Sequence, residues 1–243
     1  MNKYLLIVLC FIFSGSGLLG QDALTIVNRS DSVTYAPSDQ VNTLKIILTD
    51  NKGREQEREA IASQMGTEYR LFRFTAPASQ EGIAFLSLPD EVMYVYLPAY
   101  NKSRRIASHV KNQSFAGTDL SYEDMEAVPL AKKYDVKLLE TTNDYFLLEM
   151  TPKPDRKSDY SKQIIRIDKS NYMVLSSEYY DRGGNKVKTM TNNKIQNIDG
   201  YWIITDLKMT DLKSNHSTQL IFTDTKVNTG LSEEDFSVRK LER

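Results

Sequence analysis

Asp119, Glu123, Asp124 and Glu126 crowd into one short segment, DLSYEDME, and are the first residues to weigh for chemistry. Paired carboxylates hydrolyse glycosides when they flank a cleft. At this spacing on one short helix they are neighbours instead. The reading that fits is local: Thr118 and Asp119 cap the helix, and the acids suit its positive end. His109, in a polar run, and His216, before Ser217-Thr218, are the two histidines and read as solvated side chains. No glycine-rich phosphate loop and no calcium-loop spacing occurs. Gly15-Ser16-Gly17 sits in an apolar leader and is not a nucleophile elbow. The expectation is a protein that is not an enzyme and needs neither cofactor nor metal.

Two features around the acidic segment carry more. Arg104-Arg105 forms a basic corner, expected to pair with these acids or to meet an anionic headgroup. Phe115-Ala116-Gly117 interrupts a stretch, Asn101 to Ser114, without strand or helix period. A strand with Tyr94 and Tyr96, a basic corner and a small helix containing Tyr122 describe a flap more readily than a core. Phe72, Phe74, Phe85, Tyr94, Tyr96, Phe146, Leu148, Trp202 and Ile204 are the candidates for lining an apolar cavity under it. Such a cavity would bind a lipid rather than process it.

The elements that would hold these residues are mostly strands. Short runs with period two, such as Leu44, Ile46 and Leu48, are separated by Gly, Pro, Asn and Asp turns. That is the pattern of an antiparallel meander, read here as about ten or eleven strands. An early helix is expected around Asp22 to Arg29, with Ala23, Leu24 and Val27 on one face. Strands such as Tyr145–Met150 and Tyr201–Ile204 are apolar on both sides, so each face needs a cover. A second sheet would supply one, as in a sandwich. A helix plus a flap or a ligand would supply one equally.

Net charge is -1, from 31 Lys+Arg and 32 Asp+Glu, so no global field attracts nucleic acid. Lys3, the apolar run Tyr4–Phe13 and the small residues up to Gly20 read as a secretory leader, residues 1–20, followed by one domain over 21–243. The single cysteine, Cys10, lies in that leader, which excludes a disulfide framework from the remainder and suits a bacterial periplasm. A monomer is expected.

The block EYRLFRFTAPASQEGIAFLSLPDEVMYVYLPAYNKSRRI, the segment SFAGTDLSYEDM and the later YSKQIIRIDKSNYMVLSSEYYDRGGNKVKTM resemble the LolA-like outer membrane lipoprotein-sorting protein family. The resemblance extends through IDGYWIITDLKM to the ending TGLSEEDFSVRKLER. It implies a half-open, strongly curved antiparallel sheet with helices over its concave mouth. It also implies binding of lipid or lipoprotein acyl chains, handed from an inner-membrane transporter to an outer-membrane acceptor. The alternative is an adaptor of an exporter, with no lipid cavity of its own. The motif residues to which the family pattern carries over are Arg104, Arg105, Phe115, Gly117, Asp119, Tyr122, Glu123 and Asp124. The family's lid-latching arginine has no counterpart, because its neighbourhood reads Gly66-Thr67-Glu68; Arg70 or Arg73 is the expected substitute.

Overall fold

A computed structural model describes residues 18–243, with side chains from Ala23 onward. The leader expected over residues 1–20 lies outside them except for its last three residues, where helix α1 (Leu18–Thr34) begins. The first six strands are β1 (Asp39–Thr49), β2 (Glu55–Met65), β3 (Tyr69–Ala76), β4 (Ala84–Leu88), β5 (Val92–Leu97) and β6 (Lys102–Arg105). A long connection follows, with two one-turn helices, α2 (Tyr122–Met125) and α3 (Leu130–Lys133). Then come β7 (Tyr134–Thr141), β8 (Tyr145–Pro152), β9 (Tyr160–Asp168) and β10 (Val174–Asp181). The last three are β11 (Lys186–Ile198), β12 (Tyr201–Asp211) and β13 (His216–Val227), before a short C-terminal helix α4 (Val238–Leu241).

All thirteen strands form one open, curved antiparallel sheet in the order β6-β5-β4-β3-β2-β1-β13-β12-β11-β10-β9-β8-β7. The strand count exceeds the ten or eleven expected; β6, whose KSRR sequence reads as a corner, pairs with β5 from Tyr94↔Arg105 to Leu97↔Lys102. The sheet therefore consists of two wings. Each is a meander of hairpins, and they join along the β1–β13 ladder. The connection from β6 to β7 links the two outer edges.

Alternation along the strands separates the faces. Phe72, Phe74, Phe85, Met93 and Val95 join Leu44, Ile46 and Leu48 in one cluster with the β6–β7 connection. In the other wing, Leu148, Met150, Ile165 and Ile167 pack against α1. Helix α1 buries Ala23, Ile26, Val27 and Ser30, while Leu24 is 45% exposed. The expected face was thus misplaced at Leu24: the buried side follows the 3-4 spacing of 23, 26, 27 and 30.

The opposite face of β3–β5 has its own cover. Phe236 and Leu241 from the C-terminal segment pack on Ala84, Leu86 and Tyr96, with Tyr69, Leu71 and Tyr94 around them. Arg73 donates to the carbonyls of Lys240 (2.7 Å) and Leu241 (3.0 Å), satisfying helix-end acceptors. β3–β5 are therefore covered on both faces without a second sheet.

Candidate functional site

The concave face of the first wing is built to receive a foreign side chain. On β2 the inward positions are Arg58, Ala60, Ala62 and Gln64, and the two alanines leave room above the sheet. Phe72, Phe74 and Phe85 wall that room. Phe115 from the β6–β7 connection fills it and is 1% exposed. Its ring stacks on Phe74 (centroids 5.6 Å apart, 20° between planes) and meets Phe72 edge-on at 5.6 Å. Phe85 and Tyr122 lie at 6.0 and 5.8 Å. Burying such a ring contributes about 2–3 kcal/mol, and each good aromatic pair adds roughly 1 kcal/mol.

A tight turn aims the ring. The N–H of Thr118 donates to the Phe115 carbonyl (2.9 Å), and the central residues Ala116 and Gly117 have φ of 50° and 74°. Both signs are those of a type I′ turn, and Gly117 takes this conformation without strain. A Cβ there would find space, its nearest neighbour being Arg58 Nη2 at 3.9 Å, so the glycine serves backbone shape.

Polar contacts hold the flap over the sheet. Arg58 Nη1 donates to the Ala116 carbonyl at 2.6 Å, with its guanidinium 5.4 Å from the Phe74 ring. Arg70 donates to the Met125 carbonyl (3.0 Å) and to Gln64 Oε1 (2.7 Å). Of the two expected substitutes for the missing latch, Arg70 reaches the flap and Arg73 the C-terminal segment. Asp119 ties the flap to the second wing. Its N–H donates to Thr218 Oγ1 (2.9 Å), and its carboxylate accepts from the same hydroxyl and lies 2.7 Å from His216 Nδ1. Lys188 Nζ donates to the Asp119 carbonyl (2.9 Å) and pairs with Asp124.

Several expectations are corrected by these contacts. His216 is a flap anchor rather than a solvated side chain, whereas His109 is exposed. The helix cap is Ser121, not Thr118 or Asp119: its hydroxyl accepts from Asp124 N–H, and the Asp124 carboxylate accepts from Ser121 N–H. Arg104 and Arg105 do not pair with the flap acids. Arg104 lies over the Tyr100 ring at 5.2 Å, and both arginines are exposed.

The acids are held by other cations. The Glu126 side chain is 1% exposed and lies 2.6 Å from Arg156, 3.0 Å from Lys111 and 3.4 Å from Lys133. Lys111 and Arg156 also reach Glu91, at 2.7 and 2.8 Å. Glu91 is in the β4–β5 turn and Arg156 in the β8–β9 loop, so this cluster draws the two wings together across the flap. Burial alone would raise the Glu126 carboxyl, but Lys133, Lys111 and Arg156 outweigh it and hold the group below the ordinary range. Burial wins at Glu123: its carboxyl is raised despite the Ser158 hydroxyl and Lys133. Burial also pushes the hydroxyls of Tyr134, Tyr160 and Tyr179 far above 10, so all three stay neutral.

Between flap and α1 remains a cavity of about 200 Å³. Ile165, Val174 and Ile204 line it on one side, Arg70, Glu126 and Lys133 on another. Of the expected lining residues, Ile204 faces this space, Phe72, Phe74 and Phe85 surround Phe115, and Phe146 and Leu148 lie in the α1 cluster. Tyr94 and Tyr96 are corrected to the opposite face, beneath the C-terminal segment, because Met93 and Val95 take the inward positions of β5. Trp202 is 37% exposed at the start of β12. Irregular pairing between Asn192/Lys194 and Lys194/Ile195 resets the alternation there, so even-numbered Ile204 and odd-numbered Leu207 both turn inward.

Sequence reasoning missed Arg58. Its signal was parity: the acids Glu55, Glu57 and Glu59 alternate with it, and it shares a face with Ala60 and Ala62.

A family model described only as "-like: Uncharacterized protein" matches residues 66–243. Among solved structures, a domain named for outer membrane lipoprotein sorting, from Vibrio parahaemolyticus, is 31% identical with a TM-score of 0.85, covering 92% of this chain and 100% of that one. A DUF1329 family protein from Desulfovibrio piger ATCC 29098 is 27% identical with a TM-score of 0.84, covering 92% and 99%. A LolA superfamily protein from Nitrosomonas europaea shares the fold at 24% identity and a TM-score of 0.74, covering 88% and 97%. A comparison with curated proteins finds no match. With a 31% identical relative matching 92% of its length, the chain belongs to the outer membrane lipoprotein-sorting protein family.

Proposed function

We propose that this protein is a periplasmic carrier that shelters the acyl chains of a lipid or lipoprotein on the concave face of its sheet, on the way to the outer membrane. The observation that carries the reading is Phe115, an apolar side chain from the β6–β7 connection seated among Phe72, Phe74 and Phe85. Its site offers an acyl chain the same aromatic walls it offers the ring. The remaining cavity, about 200 Å³, is little larger than one of ~150 Å³ that holds benzene. Phe115 does not line that cavity but fills the aromatic pocket, so an acyl chain that takes the pocket has to displace it. Each methylene moved from water contributes about 0.8 kcal/mol, so roughly a dozen give some 10 kcal/mol gross, enough to replace the ring and its latches. Arg58 and Arg70 bond to flap carbonyls, contacts that can break and reform without changing the sheet.

The filled concave face also favours a second reading, an exporter adaptor whose interior is simply core. Native mass spectrometry of the protein exported to a bacterial periplasm, with organic extraction alongside, separates the two. Co-purified acyl species at defined stoichiometry support the carrier. A clean protein mass that does not change on adding fatty probes supports the adaptor.

A further inference from the structure

The β5–β6 hairpin is a rigid tip that presents an aromatic ring and cations to solvent. Pro98 opens a 3-10 turn, and Asn101, in the left-handed region (φ 47°), donates its N–H to the Pro98 carbonyl at 2.9 Å. Tyr96 donates its hydroxyl to Asn101 Oδ1 at 3.0 Å, pinning the turn from beneath. Gly82 packs so close that a Cβ there would stand 2.9 Å from Pro98 Cγ. On this support Tyr100 is 62% exposed, and Arg104 stacks over its ring. Lys102, Arg104 and Arg105 are all exposed, and none of the three forms an ion pair among the described residues.

The acids nearby form no ion pair with these three cations. Glu242 accepts from the Ser103 N–H and hydroxyl (3.2 and 2.6 Å), and Glu91 is held by Lys111 and Arg156. Asp90 lines the open groove beside Arg105, with no ion pair between them. Cations on an edge strand block unwanted pairing. That purpose does not require an exposed tyrosine held on a proline turn. A tyrosine beside unpaired Lys and Arg is the combination that sits at a bilayer interface, ring among the headgroups and cations on phosphates. A stable protein partner would need roughly 20–30 residues a side, far more than this tip offers.

We propose that the β5–β6 tip docks on an anionic phospholipid bilayer. The flap begins at the next residue, Ile106, whose N–H still pairs with Met93. Docking there places the hinge of the flap at the membrane surface.

The test is co-sedimentation of the exported protein with phosphatidylcholine vesicles and with the same vesicles containing phosphatidylglycerol, at low and high salt. The expected result is binding to the anionic vesicles only, lost at high salt. Arg104→Gln/Arg105→Gln should bind about 30-fold more weakly, two cations at ~1 kcal/mol each. Its thermal melt should match the wild type, and Tyr100→Ser should weaken binding to the anionic vesicles at low salt. Equal binding by the double variant overturns the proposal. So does failure of the wild type to bind anionic vesicles, the outcome expected if an acidic protein is the partner. Uptake of a fatty probe, measured in the same samples, reads the carrier function separately from docking.

Discussion

The two wings of the sheet are covered in different ways. Over β7–β10 the cover is α1, a helix of 17 residues. It is held by aliphatic contacts and by Asp31, which accepts from the N–H groups of Leu130 and Ala131 at 2.9 Å each. Over β2–β5 the cover is a loop with one-turn helices. It is held by the Phe115 ring, by side chains that bond to its backbone carbonyls and by the contacts of Asp119 and Glu126. A helix satisfies its own backbone and can stay in place through any change at the mouth. The β6–β7 connection bonds much of its own backbone, as from Phe115 N–H to the Leu120 carbonyl and Tyr122 N–H to the Gln113 carbonyl, and meets the sheet mainly through side chains, the kind of contact that can break and reform. On the carrier reading proposed above, the first wing is the side that opens.

The largest break in that asymmetry is Phe115→Ala. Emptying the aromatic pocket should cost about 3–5 kcal/mol in urea unfolding and at the same time speed uptake of a fluorescent fatty probe. A stability loss with unchanged uptake would mean the ring is core and nothing more. Glu126→Gln comes next, leaving buried cations short of their partner at a cost of about 3 kcal/mol. Its pH dependence is specific. Because the folded Glu126 carboxyl is held low, its stabilisation is present above the unfolded value near ~4.3 and is lost as pH falls through the folded one. The Gln variant should therefore lose less stability than the wild type on acidification.

Arg58→Met removes one charged hydrogen bond to the flap and should cost about 2 kcal/mol while accelerating probe exchange. A matched change on the buried face of α1, Ile26→Val, should cost about 1 kcal/mol and leave exchange alone. The smallest effect carries the opposite sign. The Glu123 carboxyl is raised by burial, so its contribution favours folding at low pH and is lost as pH rises through the folded value. Glu123→Gln should stabilise the protein slightly at neutral pH, read by thermal unfolding, with no change at acid pH.

Much of this fold was legible because a meander is local. Turn residues such as Asp181-Arg182-Gly183-Gly184-Asn185 mark hairpins whose strands are neighbours in sequence and in space. The flap was legible from the loss of period after Pro98 and from Phe115-Ala116-Gly117. Facing was not. Tyr94 and Val95 are equally good strand residues, and only the C-terminal segment on one side and Phe115 on the other distinguish their faces. The anchors were invisible for a similar reason. His216 and Asp119 are 97 residues apart, and nothing local in either marks a partner. Arg104 and Arg105, the conspicuous cations, remained in solvent, while Lys111 and Arg156 took the acids.

The strand order has a consequence for how the chain assembles. Within each wing every ladder joins consecutive strands, so both wings can zip up from short loops. The β1–β13 ladder is the exception, pairing Gln40 with Val227 and Thr49 with Ser217. As the exported chain emerges N-terminus first, the first wing can form before β13 is available, and β1 meanwhile presents an unpaired edge bearing Leu44, Ile46 and Leu48. That interval is when the nascent protein is most open to mispairing, and the final strand closes it.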